Sequence, residues 1–360
     1  MKRFYLVSLL VILIINCALG QINYNLNSVT VYAHKAPDTV FGSWKFNVED
    51  YEFCNDKIVL LTWAKSLEYA NVMLADAQQN VLSSCEIPDE AERLFKDYLG
   101  YINVICVNHI YRIKISDTQI RLASLPVKDY RNLIMPCIDT INKDIYFSNY
   151  QKDYPQFNYY CYNTSTHTTT PFKTITDDEA LKGYNMEYYF LKPSEKLVAI
   201  KLADEYGVDK HRVAAIMSGL TNSVFYTPLY APLFILNDTV YVFDHYSNAM
   251  LKYDKYHKRV DSVQITYHHP KNWRDWKHQL VVDKENQEVY AEYEHDGVFY
   301  LKHIDKNTGK IVSTYKLKNK YVHQIKIVNN EVYYIYRPFE SLQQKFIYKE
   351  LIRNDCGVKG

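Results

Sequence analysis

The chain has 360 residues, 48% of them hydrophobic and 23% charged, with 42 basic against 41 acidic side chains. This balance excludes a disordered acidic tail and a polycation built for nucleic acid, and ten glycines exclude a collagen-like repeat. Thirty-five tyrosines lean the composition towards strands, because Tyr favours half-buried sheet faces.

At the N-terminus, Met1-Lys2-Arg3 is a basic region, Phe4 to Ile15 is apolar apart from Ser8, and Ala18-Leu19-Gly20 has the small-x-small form of a cleavage site. Residues 1–20 therefore read as a secretory signal peptide, and the run is too short for a membrane span. Cys17 offers a second reading, as the acylated residue of a lipoprotein. Asn16 and Ile14 fit such a site poorly, so soluble export to the periplasm or cell surface is the expectation. No other apolar run reaches the roughly 18 residues of a transmembrane helix. Six cysteines remain after cleavage, with no C-x-x-C, and free buried thiols are favoured over disulfides in a chain this long.

Residues 21–48 contain two alternating segments, Val29-Thr30-Val31-Tyr32-Ala33 and Trp44-Lys45-Phe46-Asn47-Val48. From residue 49 a phrase recurs, in which Asn or Asp precedes a β-branched residue and usually Tyr. Its copies begin at Asn55, Asn108, Asn142, Asn237, Asn286 and Asn329. Asn and Asp tolerate left-handed turn geometry, so each copy predicts a tight hairpin. A second hairpin follows most copies, and four short strands at a period of about 45 residues describe a propeller blade. The chain is thus expected to be all-β, a six-bladed β-propeller over 49–352 with a C-terminal tail at 353–360. The spacing breaks once. Residues 177–228 lack the phrase, and Glu195 to Met217 reads helical, with Asp209 as N-cap of a helix Lys210 to Ser218. This predicts a small helical insertion between blades three and four, either a partial lid or a knob on the rim. The last blade runs out of chain after three strands, so one of the two N-terminal segments is expected to complete it and close the ring.

These hairpins, together with Tyr230-Ala231-Pro232-Leu233-Phe234, Val242-Phe243-Asp244-His245 and Tyr336-Arg337-Pro338-Phe339-Glu340-Ser341, resemble the secreted six-bladed β-propeller proteins of Bacteroides-type bacteria. The resemblance covers most of 49–352. It implies the fold and an exported compartment, and no activity.

Aligning the blades on the phrase places His278, His323 and Ala231 where innermost strands begin, with Glu49 or Asp50 at that level in blade one. Loops of the same face add His245, Glu292, Glu294 and Arg337, and the linker into blade five adds His268, His269, Trp273 and Trp276. The candidate ligand-binding set is His278, His323, His245, Trp276, Glu294 and Arg337, which offers donors, an acceptor and an apolar ring to a polar ligand. The competing account is that the histidines merely satisfy backbone groups. No nucleophile elbow, phosphate loop or metal-binding His spacing occurs, so no catalytic residue, cofactor or metal is assigned. The expectation is a non-catalytic binding or scaffold protein whose partner is a glycan or an envelope protein, with no nucleic acid. The alternative is a glycan-active hydrolase or lyase using His and carboxylates on one face. The oligomeric state is left open.

Overall fold

The computed structural model describes residues 37–223, 226–337 and 344–352. Twenty-four described strands form six four-stranded antiparallel sheets, and the protein is a six-bladed β-propeller. After β1 (Asp38–Phe41), blade one comprises β2 (Asn47–Cys54), β3 (Lys57–Trp63), β4 (Ala70–Ala75) and β5 (Val81–Glu86). Blade two comprises β6 (Ala91–Lys96), β7 (Ile102–Cys106), β8 (Ile110–Ser116) and β9 (Gln119–Leu125), and blade three β10 (Cys137–Ile141), β11 (Asp144–Ser148), β12 (Gln156–Asn163) and β13 (Thr168–Thr176). Three helices follow: α1 (Asp178–Phe190), α2 (Pro193–Tyr206) and α3 (Lys210–Ser218). Blade four is β14 (Leu233–Leu236), β15 (Thr239–Asp244), β16 (Ala249–Tyr253) and β17 (Arg259–Gln264), and blade five β18 (Trp276–Asp283), β19 (Glu288–His295), β20 (Val298–Ile304) and β21 (Ile311–Lys320). Blade six is β22 (His323–Val328), β23 (Glu331–Tyr336) and β24 (Phe346–Leu351), with β1 as its outer strand.

The turn chemistry explains most of this order. Asn55, Asn142, Asn237, Gln287 and Asn329 all have positive φ at the first turn of their blades, the geometry the repeated phrase predicts. Asn108 differs. It lies in the turn between β7 and β8, the second turn of blade two, where Asp89 accepts from its backbone N–H (2.9 Å). The first turn of that blade is Asp97-Tyr98-Leu99-Gly100-Tyr101, with Gly100 at φ +83° and the Asp97 carboxylate accepting from the N–H groups of Leu99 and Tyr101. A five-residue turn built on Asp and Gly does not carry the phrase, so in blade two the phrase marks a different hairpin.

The closing strand also differs from both expected segments. It is Asp38–Phe41, hydrogen-bonded antiparallel to β24. Val29–Ala33 lies outside the described residues, and Asn47 and Val48 begin β2 instead. The closing strand is short, and of its four residues Phe41 alone is fully buried, with Val40 partly buried against the same cluster. Phe41 sits in the cluster shared by blades six and one, with Val48, Tyr51, Leu60, Ile335 and Ile347. Gly42 follows it directly under the Phe346 ring, where a Cβ has no room.

The insertion lies where expected. Asp209 caps α3, its carboxylate accepting from the His211 N–H (2.7 Å), and α1 to α3 share a small apolar core around Ala199, Ala203 and Val213. Its anchor is the 149–155 loop joining β11 to β12. Arg212 forms a two-pronged ion pair with Asp153 (2.7 and 3.0 Å), and the Tyr184 hydroxyl donates to the Asp153 carbonyl. That loop belongs to the face where the innermost strands begin, here called the upper face. Five described cysteines, Cys54, Cys85, Cys106, Cys137 and Cys161, are free thiols. No described helix is long and apolar enough to cross a membrane.

Replacing Phe41 by Ala is expected to destabilise the protein by about 3 kcal/mol, a large share of the margin that holds a typical domain folded. Chemical denaturation of the variant checks this. A loss below about 1 kcal/mol means that β1 does not hold the ring.

Candidate functional site

On the upper face, blades four and five bring together Tyr230, His245, Tyr267, His268, Trp276 and His278. His245 is buried at the centre. Its Nδ1 lies 2.8 Å from the Tyr230 carbonyl, which only accepts, so Nδ1 carries the proton. Nε2 therefore accepts from the Tyr267 hydroxyl at 2.7 Å. The ring stacks on Tyr230 and meets Trp276 edge-on with centroids 4.7 Å apart. Burial holds His245 neutral and pushes it down to about 4. His268 is likewise buried and pushed down to about 3, by burial first and then by the neighbouring His245 and His269. Asn248 accepts from both His268 and His269 through one oxygen, at 2.8 Å each.

The upper edge of this box is exposed. His278 lies face-on to Trp276, with ring centroids 4.3 Å apart and planes 25° from parallel. Its backbone is left-handed at φ +52°, inside a bulge where residues 277–279 stand opposite Glu292 alone. In blade six the matching bulge takes only two residues, Gln324 and Ile325, opposite Tyr334, and the left-handed residue is Gln324. The two His-Gln pairs start their strands at one level, but the extra bulge residue turns only His278 onto a tryptophan. Burial lowers His278, and burial followed by Lys345 lowers His323.

His323, Glu294 and Arg337 form a second, charged group, close enough for the carboxylate and the guanidinium to act on the His323 ring. Glu49 joins them from blade one, accepting from the Trp63 indole N–H (2.9 Å) and pairing with Lys345 (3.4 Å). Lys277 connects the two groups. It sits between Trp276 and His278 in sequence and pairs with Glu294 at 2.5 Å. Thus His245, Trp276 and His278 are in mutual ring contact or one ring removed, and His323, Glu294 and Arg337 lie together beside them. Of the six, His245 has both ring nitrogens engaged inside the wall.

Glu292 was grouped only with the surrounding loops by the repeat alignment, yet it is the most unusual side chain of the face. It is buried opposite the blade-five bulge, and burial pushes its carboxyl up to about 7, with Lys277 as the one opposing influence. Its charge reaches the hydroxyls of Tyr230 in blade four and Tyr51 in blade one, which places it on the axial side of the ring. Other buried carboxylates have partners: Asp50, which burial also raises, has the N–H groups of Tyr51 and Leu94, Asp97 the Arg112 guanidinium, Asp244 Lys173, Asp283 the N–H groups of Asn329 and Asn330, and Glu350 the Tyr315 and Tyr334 hydroxyls. Among the described residues Glu292 makes no hydrogen bond. Nearby, the buried indole N–H of Trp276 and the Nδ1 of His268 also have no partner there. Buried polar atoms without partners are rare in folded proteins, and these two occur along one wall.

Two surface hollows lie elsewhere, both between blades one and two. One, of about 530 Å³, is lined by Cys54, Tyr101, Arg112 and Ile113; the other, of about 480 Å³, by Glu68, Asp89, Glu90 and Asn108. Neither is enclosed or holds an uncompensated buried group, so the chemistry of blades four to six makes the stronger candidate.

No family model matches the chain, and no curated protein matches it. The solved structures it is similar to include a luciferin-regenerating enzyme, 9% identical over 86% of this chain and 91% of that one, with a TM-score of 0.40. They also include virginiamycin B lyase from Staphylococcus aureus, 9% identical over 88% of each chain with a TM-score of 0.36. The calcium-binding protein regucalcin from Agrobacterium tumefaciens is 8% identical over 86% of this chain and 90% of that one, with a TM-score of 0.36. These neighbours are β-propeller proteins, and the likeness extends to architecture only.

Two measurements test the site's physics. His245→Ala leaves the Tyr230 carbonyl and Tyr267 hydroxyl without their partner and opens a cavity, so it is expected to cost about 2–4 kcal/mol, whereas exposed His278→Ala costs under about 1 kcal/mol. Equal losses in denaturant melts contradict this division into wall and surface. The Glu292 carboxyl titrates near 4.5 when unfolded and at about 7 when folded. Between those values the folded chain holds a proton the unfolded chain has released, so stability is lost as pH rises through that window. Glu292→Gln has no proton to lose. It is expected to gain up to about 3 kcal/mol over the parent near pH 8 and much less near pH 5, read from unfolding curves at both.

Proposed function

We propose that the chain is an exported, non-catalytic β-propeller that binds a polar, saccharide-type ligand at the upper mouth of blades four to six. The observation that carries this reading is the His278 ring lying on Trp276 beside the Lys277–Glu294 pair, whose carboxylate, with Arg337, acts on His323. Flat rings offer apolar area to the C–H face of a sugar, while the guanidinium, ammonium and carboxylate groups around them suit hydroxyls at its edge. The unpartnered Trp276 N–H adds a donor that gains from a ligand or its bridging water, and the buried Glu292 carboxyl stands near it in blade five. Export rests on the leader-like residues 1–20, and the resemblance to secreted propellers agrees with it. An envelope protein presenting the same polar groups is the other partner of this chemistry.

One observation favours an enzyme. A carboxyl held protonated to about pH 7 is matched to general-acid work, and Glu292 is such a group. Against it, His245 has both nitrogens occupied and no freedom to take or give a proton. In this second reading Glu292 protonates a leaving oxygen in a glycan hydrolase or lyase.

The test is a glycan-binding screen on the folded protein, with turnover followed on any hit. His278→Ala combined with His323→Ala is expected to weaken binding about tenfold or more while leaving the melting temperature close to the parent's. Undiminished binding in the double variant removes the proposed mouth. Product formation abolished by Glu292→Gln, with binding retained, replaces the binding reading by the enzymatic one.

A further inference from the structure

Buried polar atoms without partners gather at a second place, on the lower face between blades three and four. Asp144 begins β11, and Cys161 and Asn163 end β12. Asp144 pairs across the ladder with Asn163, and Tyr146 with Cys161. Because side chains alternate along a strand, these four residues project from one face of blade three, the face that meets blade four. His257 comes to them from the β16–β17 turn of blade four. That turn is fixed by Asp254, whose carboxylate accepts from the N–H groups of Tyr256 (2.9 Å) and Lys258 (3.0 Å), and it holds His257 at φ +60°. A non-glycine residue in that conformation costs energy and persists where its surroundings demand it.

The result is a carboxylate oxygen, a thiol sulfur and an imidazole nitrogen within 4.8 Å of one another. Asp144 Oδ2 lies 3.7 Å from His257 Nε2, too far for a hydrogen bond, and that nitrogen has no hydrogen-bond partner among the described residues. The Tyr146 hydroxyl beside them has none there either, although Tyr146 is fully buried, and it lies within electrostatic reach of Cys161 and Asp144. The second oxygen of Asp144 accepts from the Asn163 amide at 2.6 Å, which fixes the carboxylate plane. Tetrahedral zinc with ligands at about 2.0–2.3 Å needs ligand atoms about 3.3–3.7 Å apart. The Asp144–His257 edge already has that length, and the widest edge closes by about 1 Å. The site also has a way in, since the side chains of His257 and Asp144 are 20% and 15% exposed.

We propose that Asp144, Cys161 and His257 form a zinc site that joins blade three to blade four, with the Tyr146 hydroxyl or a water molecule as fourth ligand. A mixed sulfur, nitrogen and oxygen set suits zinc over magnesium or calcium, which take oxygen alone. On binding, the Cys161 S–H bond breaks, the sulfur–metal bond forms and the proton leaves to solvent. Asn163 is the positioning residue, orienting Asp144 as outer partners of metal ligands do. The ligands come from two blades and lie up to 113 residues apart, from Asp144 to His257, so no short motif announces them.

The experiment titrates the metal-free full chain with Co²⁺, a spectroscopic stand-in for zinc. One equivalent is expected to bring up the visible bands of a tetrahedral site and the near-ultraviolet sulfur-to-cobalt band, both erased by zinc. Cys161→Ser is expected to lose the sulfur band and His257→Gln to weaken binding by about tenfold or more. Because Cys161 is buried and its variant can misfold, His257→Gln, at a partly exposed turn, serves as the independent arm, with circular dichroism as the check on folding. No sulfur band in the folded parent, or the same zinc stoichiometry and affinity in the parent and in folded His257→Gln, overturns the site.

Discussion

A four-stranded blade has two apolar faces and buries neither by itself, so every part of this molecule depends on a ring that closes. The apolar core is accordingly divided among the interfaces: one cluster each for blades one and two, three and four, four and five, five and six, and six and one. Between blades two and three the filling is different, a helical turn at 127–134 that brings Tyr130 and Ile134 against Phe95, Ile105 and Ile110. The last interface is made by the chain ends. Four residues of β1 supply the hydrogen bonds that β24 lacks, and Phe41 enters the cluster beneath. Lys345 ties the same junction, its N–H donating to the Asn47 side chain and its carbonyl accepting from Val48. Tyr51 reaches from blade one to the Gln324 carbonyl of blade six.

That ring was legible in the sequence wherever a turn was short. Two-residue turns demand left-handed backbone, Asn and Asp supply it, and the requirement recurs once per blade, so blades one, three, four and six announce themselves. Blade five shows the same signal with Asn286 and Gln287 in a longer turn. Blade two escapes because Asp97 and Gly100 build its turn by side-chain bonds to backbone instead. The closing strand escapes for another reason. Asp-Thr-Val-Phe is too short to show alternation, and it acquires strand geometry from the free edge of β24. The helical insertion was visible because Ala, Leu, Lys and Glu replace β-branched residues there and Asp209 stands where a cap belongs.

The site was legible as a face and not as a geometry. Counting back from the hairpins assigns residues to one end of the ring, and His278, His323, Trp276, Glu294, Arg337 and His245 do stand at that end. What counting cannot convey is the depth of each side chain. A bulge of three residues in blade five against two in blade six sends equivalent histidines to different surroundings. His245 sits one residue beyond β15 and disappears into the wall, because the Tyr230 carbonyl and Tyr267 hydroxyl offer it two bonds at once. Glu292 reads as one more polar residue of a strand, with nothing in the sequence to mark its burial. The lower-face cluster was invisible for a simpler reason: its three ligand atoms come from strands and a turn of different blades.

The distribution of unsatisfied groups argues that these two places differ in kind from the rest of the ring. A propeller built only to hold its shape fills its interfaces with apolar residues, as the clusters between these blades do. Where carboxylates are buried for structural reasons they are compensated, as Asp283 is by the turn of blade six and Glu350 by two tyrosines. At the upper mouth two imidazoles and a carboxyl are instead buried in their neutral forms, and each weakens the fold on one side of neutral pH: the imidazoles as pH falls below about 6.5, the carboxyl as it rises past about 4.5. Apolar substitutes of similar volume avoid both losses. Local violations of packing rules in an otherwise consistent structure belong where something other than folding selects the side chain. Among the described residues the remaining orphan donors and acceptors are Tyr146 and His257 at the lower cluster and Tyr130 in the blade-two filler, where a hydroxyl faces a purely apolar interface. Among the described residues these two clusters combine orphan atoms with complementary chemistry close by, and for that reason they, and not the hollows between blades one and two, carry the functional reading.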